Sequence, residues 1–110
     1  MSKYHSKKVA IDGHVFDSKK EADRYCELRL LERAGEISNL RLQPRYLLQP
    51  AFTCDGNVYR KIEYVADFEY VENGRTVVED VKGMRTEVYK IKKKLFLMQY
   101  GDRYEFRETR

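Results

Sequence analysis

This sequence predicts a mixed α/β or α+β domain in which helices flank a sheet. Three features carry that reading: a capped helix near the start, two strand-like runs joined at Asn73-Gly74, and a second helix with a short strand-like tail. Helix, β-meander, helix, strand is an order that buries a sheet against helices.

The elements follow in turn. Val9 to Asp12 and His14 to Asp17 flank Gly13 and read as a short hairpin or two extended pieces. A helix is expected from about Ser18 to Ala34, because Ser18 with Glu21 three residues on forms a capping box and Gly35 suits a C-cap. Arg41 to Pro50 carries two prolines and is expected to be extended and peripheral. Val58 to Val71 has strand composition, Asn73-Gly74 signals a tight turn, and Arg75 to Lys82 forms the return strand. A second helix spans about Glu87 to Tyr100, with Val88, Ile91, Leu95 and Met98 inside an arc of about 80° as its expected core stripe. Tyr104 to Arg107 reads as a last edge strand.

The chain has 110 residues, and a single domain over 1–110 is expected from that length. Charged residues make up 36% against 42% hydrophobic, and Lys+Arg exceed Asp+Glu by 22 to 18, a net charge of +4 that suits a polyanion such as nucleic acid. No apolar run approaches the roughly 20 residues of a membrane helix, and MSKYHSKK lacks the apolar segment of a secretory signal. Cys26 and Cys54 stand in unlike contexts without metal-ligand spacing, so reduced packing cysteines and a cytoplasmic protein are expected, and zinc is disfavoured. His5 and His14 are lone histidines with no assigned role.

The hairpin carries the chemistry. A two-residue turn at Asn73-Gly74 pairs Glu72 with Arg75, and counting outward sets Asp67 opposite Asp80 and Val65 opposite Lys82. Asp67, Asp80 and Lys82 then share one face. Opposed Cβ atoms lie about 4.5–5.5 Å apart, where two carboxylates repel unless a proton or cation intervenes. A divalent cation held by one or two carboxylates and substrate phosphate resolves the conflict, and it activates water for phosphodiester hydrolysis. Lys82 would offset charge in the transition state. The plain alternative makes Asp80 and Lys82 a solvated surface pair worth less than about 1 kcal/mol. A bulge would break the Asp67–Asp80 opposition. Glu79 points the other way and is a second-choice ligand, and Glu69 lies nearer the turn. Glu21 is either a capping residue or a site acid, and its position alone leaves both open.

These residues resemble the PD-(D/E)xK nuclease superfamily, and more narrowly a group of small phage and prophage proteins within it. The similarity runs through Val15-Phe-Asp-Ser-Lys-Lys-Glu-Ala22, Leu42-Gln-Pro44, Tyr64-Val-Ala-Asp-Phe68 and Val78-Glu-Asp-Val-Lys-Gly83. It implies a restriction-endonuclease-like αβββαβ core. By position, Glu21 becomes the helix acid, Asp67 the first hairpin acid, and Asp80 and Lys82 the acid and lysine of the D-x-K element. Glu21, Asp67 and Asp80 would hold Mg²⁺, with Mn²⁺ as a substitute. Ala66 stands where the superfamily name has proline. Relatives of this size include phage junction-resolving enzymes, typically dimers, which implies branched DNA such as a Holliday junction in recombination or replication as the substrate, and a homodimer.

The sequence-level expectation is therefore a Mg²⁺-dependent endodeoxyribonuclease. Lys19, Lys20, Arg85, Lys90, Lys93 and Lys94 are its expected DNA contacts, since phosphate contacts dominate nucleic-acid affinity. The alternative is a non-catalytic nucleic-acid-binding module with a nuclease fold. The enzyme reading expects Asp80→Ala and Lys82→Ala to abolish cleavage with folding largely intact.

Overall fold

The computed structural model describes residues 8–81 and 85–109. The chain is a mixed α+β fold. Val9–Ile11 (β1) and His14–Phe16 (β2) form a hairpin, followed by Lys19–Arg33 (α1) and Ser38–Leu42 (β3). Arg45–Gln49 (β4), Phe52–Cys54 (β5), Asn57–Tyr59 (β6) and Ile62–Val65 (β7) come next. Phe68–Glu72 (β8), Arg75–Val81 (β9), Glu87–Tyr100 (α2) and Glu105–Thr109 (β10) complete the order.

The principal sheet runs β10-β9-β8-β3, with β9 antiparallel to β8 and parallel to β10. Asn73 and Gly74 both adopt positive φ, as a type I′ turn requires. The turn sets the expected register, Glu72 against Arg75 through to Phe68 against Glu79. Side chains of β8 and β9 therefore alternate between two cores. Phe68, Tyr70 and Val77 meet Ala22, Tyr25 and Leu28 of α1 on one face. Val78 meets Tyr89 and Phe96 of α2 on the other, together with Tyr46, Leu48 and Tyr64.

Helix α1 begins as expected. The Ser18 hydroxyl accepts from the Glu21 N–H at 3.1 Å, and Gly35, just past the end, takes φ +79°. Its inner face also carries Arg24, which donates through Nε and Nη2 to the two carboxylate oxygens of Glu79 at 2.6 and 3.0 Å. Tyr70 and Thr109 hydroxyls donate to the same carboxylate at 2.5 and 2.8 Å. Burial alone would push Glu79 up, but these donors outweigh it and hold the carboxyl below its ordinary range. Glu79 thus points away from Asp80, as expected, and ties α1 to the central strand.

Three expectations need correction. On α2, Val88, Ile91 and Met98 are exposed and only Leu95 of the expected stripe packs against the core, while Tyr89 and Phe96 are buried. Tyrosines supply the inner face because their hydroxyls find acceptors at its rim: Tyr89 on Glu108, and Tyr100 on the Leu47 carbonyl. The stretch Arg41 to Pro50 is not peripheral. Pro44, Tyr46 and Leu48 are buried, because β4 pairs with β7 and lays one face on α2. Cys26 and Cys54 are exposed, unpaired thiols rather than packing residues. No described helix is long and apolar enough to cross a membrane.

The Arg24–Glu79 pair yields a stability prediction. Arg24→Met should lower stability by about 3 kcal/mol at neutral pH, because it strands a buried charge. A carboxyl with a lowered folded-state pKa contributes fully above its ordinary range and loses that contribution as pH falls through the lowered value. The gap between wild type and Arg24→Met in urea denaturation should therefore narrow on acidification.

Candidate functional site

Strand pairing ends where the acids begin. Phe68 against Glu79 is the last ladder pair of β8 and β9, and Asp67 sits in a bend one residue beyond it. The expected opposition of Asp67 and Asp80 is thus not a ladder pair. Reciprocal bonds replace it: the Asp67 N–H donates to Asp80 Oδ1 at 2.9 Å, and the Val81 N–H donates to Asp67 Oδ2 at 2.7 Å. Asp67 N–H also reaches the Glu79 carbonyl at 3.2 Å. The Asp67 carboxylate thus accepts from the Val81 N–H beyond the last ladder pair of β8 and β9, and Asp80 gives the Asp67 N–H a second acceptor.

Asp80 is fully buried, and its Oδ2 accepts from the Tyr64 hydroxyl. Both oxygens of that carboxylate accept a hydrogen bond from the protein. Its charge also reaches Tyr89, whose hydroxyl is pushed far above its ordinary value by burial first, then by the Glu108 hydrogen bond and by the negative charge of Asp80.

Asp67 is half-buried and faces a cleft of about 350 Å³. Glu21, itself buried near the start of α1, lines the same cleft. Gly13 to Phe16 of the first hairpin form one wall, and Leu42 and Gln43 another. Gln43 adopts φ +51°, an uncommon conformation for a non-glycine residue that persists where surroundings over-determine it. Its N–H donates to the Asp67 carbonyl at 3.0 Å, and the neighbouring Pro44 carbonyl accepts from Ala66 at 3.1 Å. These bonds clamp the β3–β4 corner to the β7–β8 corner, with Asp67 between them.

Two of the expected acids, Glu21 and Asp67, therefore meet at one cleft, and Asp80 stands directly behind Asp67. Lys82 lies outside the described residues. Among the described residues, no group of three or more His, Cys, Asp or Glu is gathered closely enough to hold a metal ion. The expected DNA contacts divide into two sets. Lys19 and Lys90 pair along their own helices with Asp23 and Glu87 at 2.9 and 3.0 Å, contacts worth little at exposed positions, and Lys20 and Lys94 are exposed. Arg85 and Lys93 instead hold Glu108 at 2.5 and 3.6 Å, and Glu108 stays below its ordinary range although burial opposes this.

Sequence reasoning missed His14 and Gln43 as cleft residues and Tyr64 as the partner of Asp80. The Asp12-Gly13 turn was legible, but nothing local to it says that the hairpin would lean over α1. Tyr64 shares its block with Asp67 but carries no spacing signal for a contact to the opposite strand.

The chain belongs to the family described as "Protein of unknown function (DUF1064)", whose model matches residues 1–108. No curated protein and no solved structure matches it.

The fork makes Asp80 a stability residue as well as a candidate ligand, which corrects the expectation that Asp80→Ala would leave folding intact. Asp80→Ala should cost about 2–4 kcal/mol, since it strips the acceptor from the buried Tyr64 hydroxyl and leaves the Asp67 N–H with only its longer bond to the Glu79 carbonyl. Asp80→Asn keeps an acceptor for Asp67 and a donor for the Tyr64 oxygen, so it should cost clearly less. Chemical denaturation of the two variants side by side checks this order.

Proposed function

We propose that this DUF1064 protein is a metal-dependent endodeoxyribonuclease of the PD-(D/E)xK type, acting at the cleft shared by Glu21 and Asp67. The observation that carries the reading is that shared cleft: acids 46 residues apart in the chain meet at one opening, with Asp80 against the backbone of Asp67. The order α1, β3, β8, β9, α2, β10, with β9 and β10 parallel, also fits the αβββαβ core of that superfamily, with β4 to β7 inserted between its first two strands.

The donor set suits a hard cation. Glu21 and Asp67 offer carboxylate oxygens at a solvent-reached cleft, and Mg²⁺ is commonly held by one or two carboxylates plus water and phosphate oxygens. When bound, such an ion supplies Lewis acidity toward a phosphoryl oxygen and lowers the pKa of water. Asp80 fixes the Asp67 backbone and so orients the Asp67 carboxylate toward the cleft, the part that a supporting residue plays at a metal site. Lys82, which follows Val81 in the sequence and lies outside the described residues, is the group proposed to meet charge developing on the phosphate. Lys19 and Lys20 lie on the turn of α1 that carries Glu21 and would take flanking phosphates. Branched DNA is the proposed substrate, cut by a homodimer.

Labelled linear, flap and four-way DNA, incubated with Mg²⁺ or with EDTA, test the reading. Cleavage is expected with Mg²⁺ alone. Glu21→Gln, Asp67→Asn and Lys82→Ala should each lower the rate by roughly 100-fold or more, the scale on which losing one charge-stabilising group acts. Salt-sensitive binding without any product would instead make the chain a binding module. Equal cleavage by wild type and the variants would remove the cleft from the chemistry.

A further inference from the structure

The cleft of Glu21 and Asp67 does not end at its own walls. His14 and Leu42 also line a second opening of about 420 Å³, whose other walls are Tyr25, Arg29, Glu32 and Leu40. The two openings adjoin along one side of the first hairpin and follow α1. Glu21 lies in the first turn of that helix, and Arg29 stands eight residues on, about 12 Å along the axis. One strand of duplex DNA carries a phosphate about every 3.4 Å of its axis. A strand laid along α1 therefore sets several phosphates across that interval.

The hairpin tip is fixed over this groove. Asp12 and Gly13 both take positive φ and set Ile11 against His14 in a two-residue turn. The Tyr25 hydroxyl donates to Asp12 Oδ2 at 3.0 Å, and the His14 ring meets the Tyr25 ring edge-on with centroids 5.8 Å apart. His14 is exposed, so its imidazole stands at the junction of the two openings, steadied by Tyr25 and open to solvent.

Arg29 is aligned from behind. Its Nη1 donates to Glu32 Oε1 at 3.0 Å, and Glu32 Oε2 accepts from the Leu40 N–H at 3.2 Å, so the acid that orients the guanidinium is itself tied to β3. Both oxygens of Glu32 are thus engaged. Most of the arginine fork is not. A guanidinium offers five N–H donors, yet Arg29 Nε is shielded from solvent without a hydrogen-bond partner among the described residues. The side chain as a whole is 37% exposed, and its outer nitrogens reach the opening. A buried donor without an acceptor calls for an explanation. A phosphate beside the fork supplies one, because its oxygens can meet two guanidinium N–H groups at once.

We propose that this second opening is a phosphodiester subsite, in which Arg29, aligned by Glu32, and His14 hold the DNA backbone a few nucleotides from the bond presented to Glu21 and Asp67. The subsite rests on the nuclease reading for the course of the strand, which runs from Arg29 toward those two acids.

Binding of labelled four-way DNA to the full chain in EDTA, between about 50 and 200 mM salt, tests it. Arg29→Gln should weaken binding roughly tenfold at low salt and flatten the slope of log affinity on log salt by about 0.9, the share of one phosphate contact. Arg29→Lys keeps the charge and should keep the slope. His14→Ala should also lower the affinity, whereas Arg75→Gln, at the far turn of β8 and β9, should match the wild type. The Arg29–Glu32 pair is partly exposed and contributes little to stability, so Arg29→Gln should retain wild-type circular dichroism and melting. Wild-type affinity in Arg29→Gln or in His14→Ala would overturn the proposal, as would an equal loss in Arg75→Gln. Cleavage with Mg²⁺ that is indifferent to Arg29 would reject the subsite and spare the nuclease reading. A lowered salt slope in Arg29→Gln, with no cleavage by any of the proteins, would reject the nuclease reading and support the subsite as a DNA contact.

Discussion

Two consecutive carboxylates, Glu79 and Asp80, are fully buried on opposite faces of the central strand, and the fold is arranged around satisfying both. A buried charge without partners costs far more than any single contact returns. Glu79 is met by Arg24 from α1, with Tyr70 and Thr109 completing its shell. Asp80 is met by Tyr64 and by the backbone of Asp67. The first set docks the helix that carries Glu21. The second holds open the fork that carries Asp67. The cleft between those two acids is the joint product of both.

This coupling explains how one short stretch can serve both the structure and the proposed chemistry. Asp67 gives Oδ2 to the Val81 N–H and takes an Asp80 oxygen on its own N–H, so its backbone cannot drift as the strands separate. Gln43 adds a third restraint from the β3–β4 corner. A carboxylate fixed in this way is prepared for a ligand before the ligand arrives, and fixed geometry is what electrostatic stabilisation requires. The same bonds show that Asp80 cannot be probed by truncation without disturbing the frame.

Much of this was legible in the sequence, for local reasons. Asn73-Gly74 dictates a two-residue turn, and a two-residue turn dictates register, so the alternation of Glu79 and Asp80 followed directly. Ser18, Glu21 and Gly35 mark α1 in the same local way. What was hidden is non-local. The inner face of α2 is built from Tyr89, Phe96 and Tyr100, and the two tyrosine hydroxyls find acceptors on distant strands, so Val88, Ile91 and Met98 of the expected stripe face outward and only Leu95 of it packs against the core. The reach of Arg24 to Glu79 across 55 positions leaves no spacing signature. The β5–β6 ribbon did carry a signal in Asp55-Gly56, a turn dipeptide of the same class as Asn73-Gly74, but reading Val58 to Val71 as one strand concealed it.

The central claim is that the opening between Glu21 and Asp67 takes a divalent cation. Paramagnetic broadening reads this directly: Mn²⁺ titrated into isotope-labelled protein, followed amide by amide. The account predicts that the amides of Gly13, Val15, Gln43 and Asp67 lose intensity first, and that Mg²⁺ in excess restores them. Broadening that begins elsewhere on the surface, or that Asp67→Asn leaves unchanged, would contradict it.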